Sequence, residues 1–142
     1  MRHWAYDYIG LPYADGKNGL AFDGPDSFNC WGWVRFVFRT VKQIEMPVVH
    51  IDRYEADFLA NRTAIRKVFE QSGWRPVADK KPQEFDISLM SNAYGRHVGI
   101  ASVANGVMSL VHAIEGEGVS IIPFNDLWML GYSGITNWRL TS

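Results

Sequence analysis

The chain has 142 residues, with 14 basic and 15 acidic side chains and a single cysteine. A chain of this length can bury roughly 70% of its unfolded surface in one core, so we expect residues 1–142 to form one domain without disulfides or a structural metal. The net charge of −1 argues against nucleic acid as a partner.

Turn-forming residues dominate the chain up to residue 29, so the sequence predicts a loop there. From residue 31 to about residue 43 the pattern favours a helix, with aliphatic side chains at helical spacing. Extending the apolar series back four residues from Val34 places Cys30 at the first turn, with Asn29 or Ser27 as N-cap. The opposite face carries a stripe of basic residues predicted to be solvated: Arg35, Arg39 and Lys42.

A second helix is predicted to begin near Asp52, which precedes Glu55 as in a capping box, and to stop at Gly73. After Trp74 the pattern changes to short extended runs bounded by Gly, Asn or Pro. These runs predict strands at residues 85–90, 97–104, 107–113 and 119–122. Helices followed by an antiparallel sheet indicate an α+β domain.

The dipeptide Asn105-Gly106 lies between two β-rich runs and predicts a two-residue hairpin turn. That turn pairs Ala104 with Val107 and places His97 and His112 as diagonal neighbours on one face of the sheet. A three-residue loop would instead put the two rings on opposite faces. The turn therefore decides whether these imidazoles can meet.

A thiol becomes a good nucleophile only when it ionises, and a helix N-terminus together with a nearby imidazolium lowers the pKa of a thiol. Cys30 is predicted at such a terminus. His97 would then act as base for the thiol and as acid for the leaving amine, while His112 would hold the His97 ring and fix its tautomer. The three side chains together are a candidate site for nucleophilic catalysis.

Four motifs in order carry a resemblance to a known family. They are Leu11-Pro12-Tyr13, Phe28-Asn29-Cys30-Trp31-Gly32, Phe85-Asp86-Ile87 before Arg96-His97-Val98-Gly99-Ile100, and Val111-His112-Ala113. This ordered set resembles the NlpC/p60 cysteine peptidases over about residues 5–122. The Cys-Trp-Gly version and the run from His112 to Gly116 are most similar to the phage-tail and gene-transfer-agent branch.

The resemblance implies a papain-like α+β fold in which the nucleophile helix packs on an antiparallel sheet. It also implies hydrolysis of peptidoglycan stem peptides, typically at the bond between D-glutamate and diaminopimelate or lysine. No cofactor or metal is expected. By matching position, Cys30 would be the nucleophile, His97 the general base and His112 the third polar residue. Tyr13 matches a tyrosine whose hydroxyl lies near the thiol and assists the oxyanion.

The chain departs from the family pattern at three places. Asn29 stands where aspartate usually precedes the cysteine, and Phe85 replaces the glycine usually found before Asp86. The interval between His97 and His112 is also longer than usual. If the hairpin register differs, Asn105 or Ser109 would be the alternative third residue.

Two other functions fit the same residues. One is a zinc site formed by Cys30, His97 and His112, although such sites usually contain a closely spaced ligand pair. The other is a phage-tail assembly component with a catalytically silent cleft.

The N-terminus has no long apolar run before or after Asp7, which predicts no signal peptide and synthesis in the cytoplasm. Peptidoglycan peptides and phage-tail proteins are the expected partners, and delivery would be by a virion tail or by lysis.

Overall fold

The computed structural model describes residues 3–14, 29–46, 66–78, 81–92 and 95–140. Helix α1 spans Cys30–Val37 and continues as a π-helical segment, Phe38–Lys42. The predicted helix over residues 31–43 is therefore confirmed, with a wider final turn that ends at Gln43 in the left-handed conformation (φ 58°).

The second predicted helix is described only at its C-terminal end, where residues 66–71 are helical. Gly73 follows with φ of 87°, which confirms it as the stop because glycine adopts this left-handed conformation at little cost. The predicted capping residues Asp52 and Glu55 lie outside the described residues.

Among the described residues, six strands form one antiparallel sheet. Their bounds are Trp74–Pro76 for β1, Ile87–Asn92 for β2, Gly95–Ala104 for β3, Val107–Ile114 for β4, Gly118–Pro123 for β5 and Ser133–Leu140 for β6. Their spatial order is β1-β6-β2-β3-β4-β5. The four predicted strands are present with shifted ends. Two more, β1 and β6, pair with each other, and β6 also pairs with β2.

The two faces of the sheet bury different clusters. Val98, Ile100 and Val111 share one face and belong to the main core with the buried side of α1, which packs on β3 and β4. The other face carries a smaller cluster under the 3₁₀ helix Phe124–Leu130, formed by Met90, Leu110, Leu127 and Tyr132. The fold is thus α+β, with a helix packed on an antiparallel sheet, as predicted.

The basic stripe predicted on α1 is wrong at Arg35. Its side chain is buried, donates to the Met46 carbonyl oxygen (3.1 Å) and pairs with Glu45 (3.3 Å). The prediction of a solvated side chain is wrong here because the residues after the π-helical segment, Glu45 and Met46, fold back onto Arg35 and supply acceptors. A helical pattern does not reveal such acceptors. Arg39, in contrast, is largely exposed and shares the Glu45 carboxylate.

Candidate active site

The hairpin between β3 and β4 has the predicted two-residue turn. Asn105 and Gly106 both have positive φ, 52° and 77°, as a type I′ turn requires. Ala104 lies opposite Val107, and the same register continues to Ile100 opposite Val111. The register that brings the two histidines to one face is therefore confirmed.

His97 and His112 meet directly. Nε2 of His97 lies 2.8 Å from Nδ1 of His112, and the ring planes are inclined by 72°. Both side chains are buried. The longer interval between the histidines thus still gives a hydrogen-bonded pair, and the alternative third residues are not needed. Ser109 donates to the Val107 carbonyl oxygen at 3.1 Å, and Asn105 is in the turn.

Burial lowers the pKa of His112 from 6.5 to about 4, because the low-dielectric interior disfavours its charged form. His112 is therefore neutral at pH 7. One nitrogen of a neutral imidazole carries a proton and the other accepts. The second nitrogen of His112, Nε2, is buried and has no hydrogen-bond partner in the part of the chain that the structure describes.

Space for the pair depends on Gly99. A Cβ added to Gly99 would lie 2.6 Å from Cδ1 of Leu110 and 3.0 Å from Cβ of His112. A side chain at this position would therefore push on the strand neighbour that carries the second imidazole. Glycine allows the His112 ring to lie across β3.

Cys30 is the first residue of α1 and is buried, 5% exposed, in the main core. Of the two predicted caps, Asn29 forms the cap, since its Oδ1 accepts from the backbone N–H of Gly32 at 2.7 Å, and Ser27 lies outside the described residues. One turn further on, the Trp33 indole N–H donates to the Val111 carbonyl oxygen (3.1 Å). The start of α1 is thus anchored to the residue directly before His112.

Tyr13 is half-buried and packs against the main core, to which Cys30 also belongs. His3 caps the 3₁₀ helix Trp4–Asp7, since its Nδ1 accepts from the Ala5 N–H at 3.1 Å. Its Nε2 also contacts Ser102 Oγ at 2.7 Å. Such distant partners leave no trace in local sequence.

A cavity of about 350 Å³ lies on the histidine side of the sheet. Its lining includes Ser133, Ile135 and Asn137 of β6, together with Phe124. Asn137 pairs with Ser88, and Ser88 pairs with Gly99, so these side chains share the face of His97. This volume is in the range of small-ligand sites.

In the described ranges, no group of three or more His, Cys, Asp or Glu side chains is placed to hold a metal ion. Cys30, His97 and His112 are all within those ranges, so the zinc hypothesis gains no support. The described residues also contain no helix that is both long and apolar enough to span a membrane.

The fold is that of an NlpC/p60 domain. The chain is similar to the NlpC/p60 domain of the peptidoglycan hydrolase SagA, with a TM-score of 0.58 and 21% identity, over 94% of this chain and 91% of the other. At this identity the similarity shows the fold alone. Comparisons with protein-family models and with curated proteins found no match.

Proposed function

We propose that this single domain is a cysteine peptidase that hydrolyses peptidoglycan stem peptides with Cys30 as nucleophile. The observation that carries the proposal is the contact of 2.8 Å between the two imidazoles, in a domain whose fold is shared with a peptidoglycan hydrolase. Cys30 at the start of α1 supplies the thiol, as the sequence motif predicts.

The proton positions follow from the geometry. For His97 to take the thiol proton at Nδ1, its Nε2 must carry a hydrogen and donate it to Nδ1 of His112. His112 must then be neutral and protonated at Nε2. The lowered pKa of His112 supports this arrangement, because burial keeps the His112 ring uncharged at pH 7.

The reaction then has two halves. The Cys30 proton moves to His97, and the thiolate attacks the scissile carbonyl carbon. The imidazolium of His97 protonates the leaving amine, which leaves an acyl thioester on Cys30. Water gives a proton to His97 and attacks the thioester, releasing a carboxylic acid and restoring the thiol. The Tyr13 hydroxyl would assist the oxyanion.

The proposal sets a geometric requirement. Strand alternation directs His97 to the opposite face from Val98, which packs with the α1 side of the sheet. Cys30 belongs to the core on the α1 side of the sheet. For the proposed reaction its thiol must therefore reach the His97 imidazole past the edge of the sheet. The cavity lined by Phe124 and β6 lies on the same side as His97, which favours it as the place for a substrate side chain.

The test is steady-state hydrolysis of a purified stem peptide by wild type and variants. Cys30→Ala and His97→Gln should reduce the rate below detection, and His112→Ala should lower kcat by about 10²-fold. Ser109→Ala is the matched control, since this serine is on the same strand as His112 but bonds to the Val107 carbonyl. Full activity of Cys30→Ala would refute the assignment.

The bond cut is proposed to be the one between D-glutamate and diaminopimelate, and the chain is proposed to act in a phage-like tail. Both rest on the sequence resemblance. Labelling of purified phage-like particles with an antibody against the chain tests the location, and particles without label would count against it.

A further inference from the structure

One aromatic contact of His97 has no part in the proposed proton transfers. The Tyr132 ring lies parallel to the imidazole, with centroids 4.8 Å apart and planes inclined by only 15°. Tyr132 is 9% exposed and His97 7% exposed. The two flat faces are therefore stacked in a nearly dry environment.

The chain brings Tyr132 to this place by a defined turn. The 3₁₀ helix Phe124–Leu130 ends at Gly131, which has φ of 79° and donates its N–H to the Trp128 carbonyl oxygen at 3.0 Å. This left-handed residue reverses the backbone immediately before Tyr132. Tyr132 then joins Leu127, Met90 and Leu110 in the smaller cluster on the histidine face.

The two strands next to β3 also border His97. Met90 of β2 is the direct strand partner of His97, and His112 of β4 contacts Nε2 at 2.8 Å. The hydrogen bond with His112 holds Nε2 of the His97 ring, and the stacked Tyr132 ring opposes rotation of the imidazole plane from its flat face.

We propose that Tyr132 is a positioning residue that holds the His97 imidazole in its working orientation by stacking on it. The inference rests on the proposed function for its effect on catalysis, but the stacking itself can be tested in the resting protein. The ring face, and not the hydroxyl, is the part of Tyr132 that acts on His97. A phenylalanine should therefore replace it and an aliphatic side chain should not.

The first test needs no substrate. A nuclear Overhauser effect between the Tyr132 and His97 ring protons is expected in the wild-type protein, with the His97 ring protons shifted upfield by the stacked ring. In Tyr132→Leu these resonances should move downfield, and in Tyr132→Phe they should stay. Absence of both the ring contact and the upfield shift in folded wild type would overturn the proposal, even if the enzyme is active.

The second test is kinetic. Tyr132→Leu should lower kcat by about tenfold with little change in KM, and Tyr132→Phe should keep wild-type kcat. Leu127→Ala, in the same cluster, controls for general loss of packing and should not move the His97 resonances. Equal losses in the Phe and Leu variants would overturn a stacking role. If neither the wild type nor any variant cleaves stem peptides but the His97 resonances shift as described, the proposed function is wrong. The proposal that Tyr132 positions His97 would still be supported in that case.

Discussion

The Cβ of His112 lies against Gly99 of the neighbouring strand, where an added side chain would crowd it. A Cβ on Gly99 would lie 3.0 Å from Cβ of His112 and 2.6 Å from Cδ1 of Leu110. Gly99 thus sets the space in which Nε2 of His97 reaches Nδ1 of His112 at 2.8 Å. Because the candidate chemistry depends on that contact, the glycine can be tested directly.

Gly99→Ala should lower the free energy of unfolding by about 1–3 kcal/mol through overpacking and should reduce activity by displacing His112. Urea unfolding and stem-peptide hydrolysis measure the two effects. The double variant Gly99→Ala/Leu110→Ala removes two of the three close contacts, so the two substitutions should be strongly non-additive. Additive losses would show that the Gly99 contacts do not govern this region.

His112 should make stability depend on pH. Its folded pKa of about 4 lies below the ordinary 6.5, so the unfolded chain binds the proton more readily. The free energy of unfolding therefore stays at its full value above pH 6.5 and decreases as the pH falls toward 4. The expected decrease due to His112 is about 2 kcal/mol between pH 7.5 and pH 5. Urea unfolding at both pH values measures it, and His112→Gln should remove this part. An unchanged pH dependence in His112→Gln would contradict the assignment.

The pair formed by Asp86 and Arg139 should hold the start of β2 to β6. The carboxylate is 1% exposed and accepts two hydrogen bonds of 2.8 Å from the guanidinium. Asp86→Asn removes the carboxylate charge that pairs with Arg139, whose side chain is 34% exposed, and should cost about 1.5–3 kcal/mol in unfolding free energy. Glu70→Gln, in the exposed pair with Arg66, should cost less than about 0.5 kcal/mol. If Asp86→Asn and Glu70→Gln lowered the free energy of unfolding by similar amounts, the pair of Asp86 and Arg139 would have no special role in stability.

The cap at Asn29 should stabilise the helix that begins with Cys30. Asn29→Ala removes the acceptor of the Gly32 N–H and should cost about 1 kcal/mol. Asn29→Asp keeps the acceptor and adds a negative charge at the helix N-terminus, so stability should stay equal or rise slightly. Thermal unfolding of the three proteins compares them. If Asn29→Asp lost as much stability as Asn29→Ala, the side-chain cap would not be what stabilises the helix at this position.

Local sequence signals were sufficient where the partners are close in the chain. Asn105-Gly106 predicts the hairpin and with it the pairing of the histidines, and Asn29 predicts the cap above Cys30. Turn and cap chemistry act over two to four residues, so a pattern can reveal them.

The features that sequence reasoning missed depend on distant partners. Strand β6 pairs with β1 and β2, and Arg35 is buried by acceptors at Glu45 and Met46. The stacking of Tyr132 on His97 joins residues from a late turn and an earlier strand. The residues around Tyr132 in the sequence give no signal of the imidazole on which its ring stacks.

The central claim is that Cys30, assisted by the His97–His112 pair, cuts a peptidoglycan stem peptide. Mass analysis of stem peptides incubated with wild type and with Cys30→Ala tests it most directly. The account predicts two new fragments whose masses place the cut after D-glutamate, formed by wild type only. Intact stem peptides after incubation with folded wild type, or the same fragments from Cys30→Ala, would contradict it.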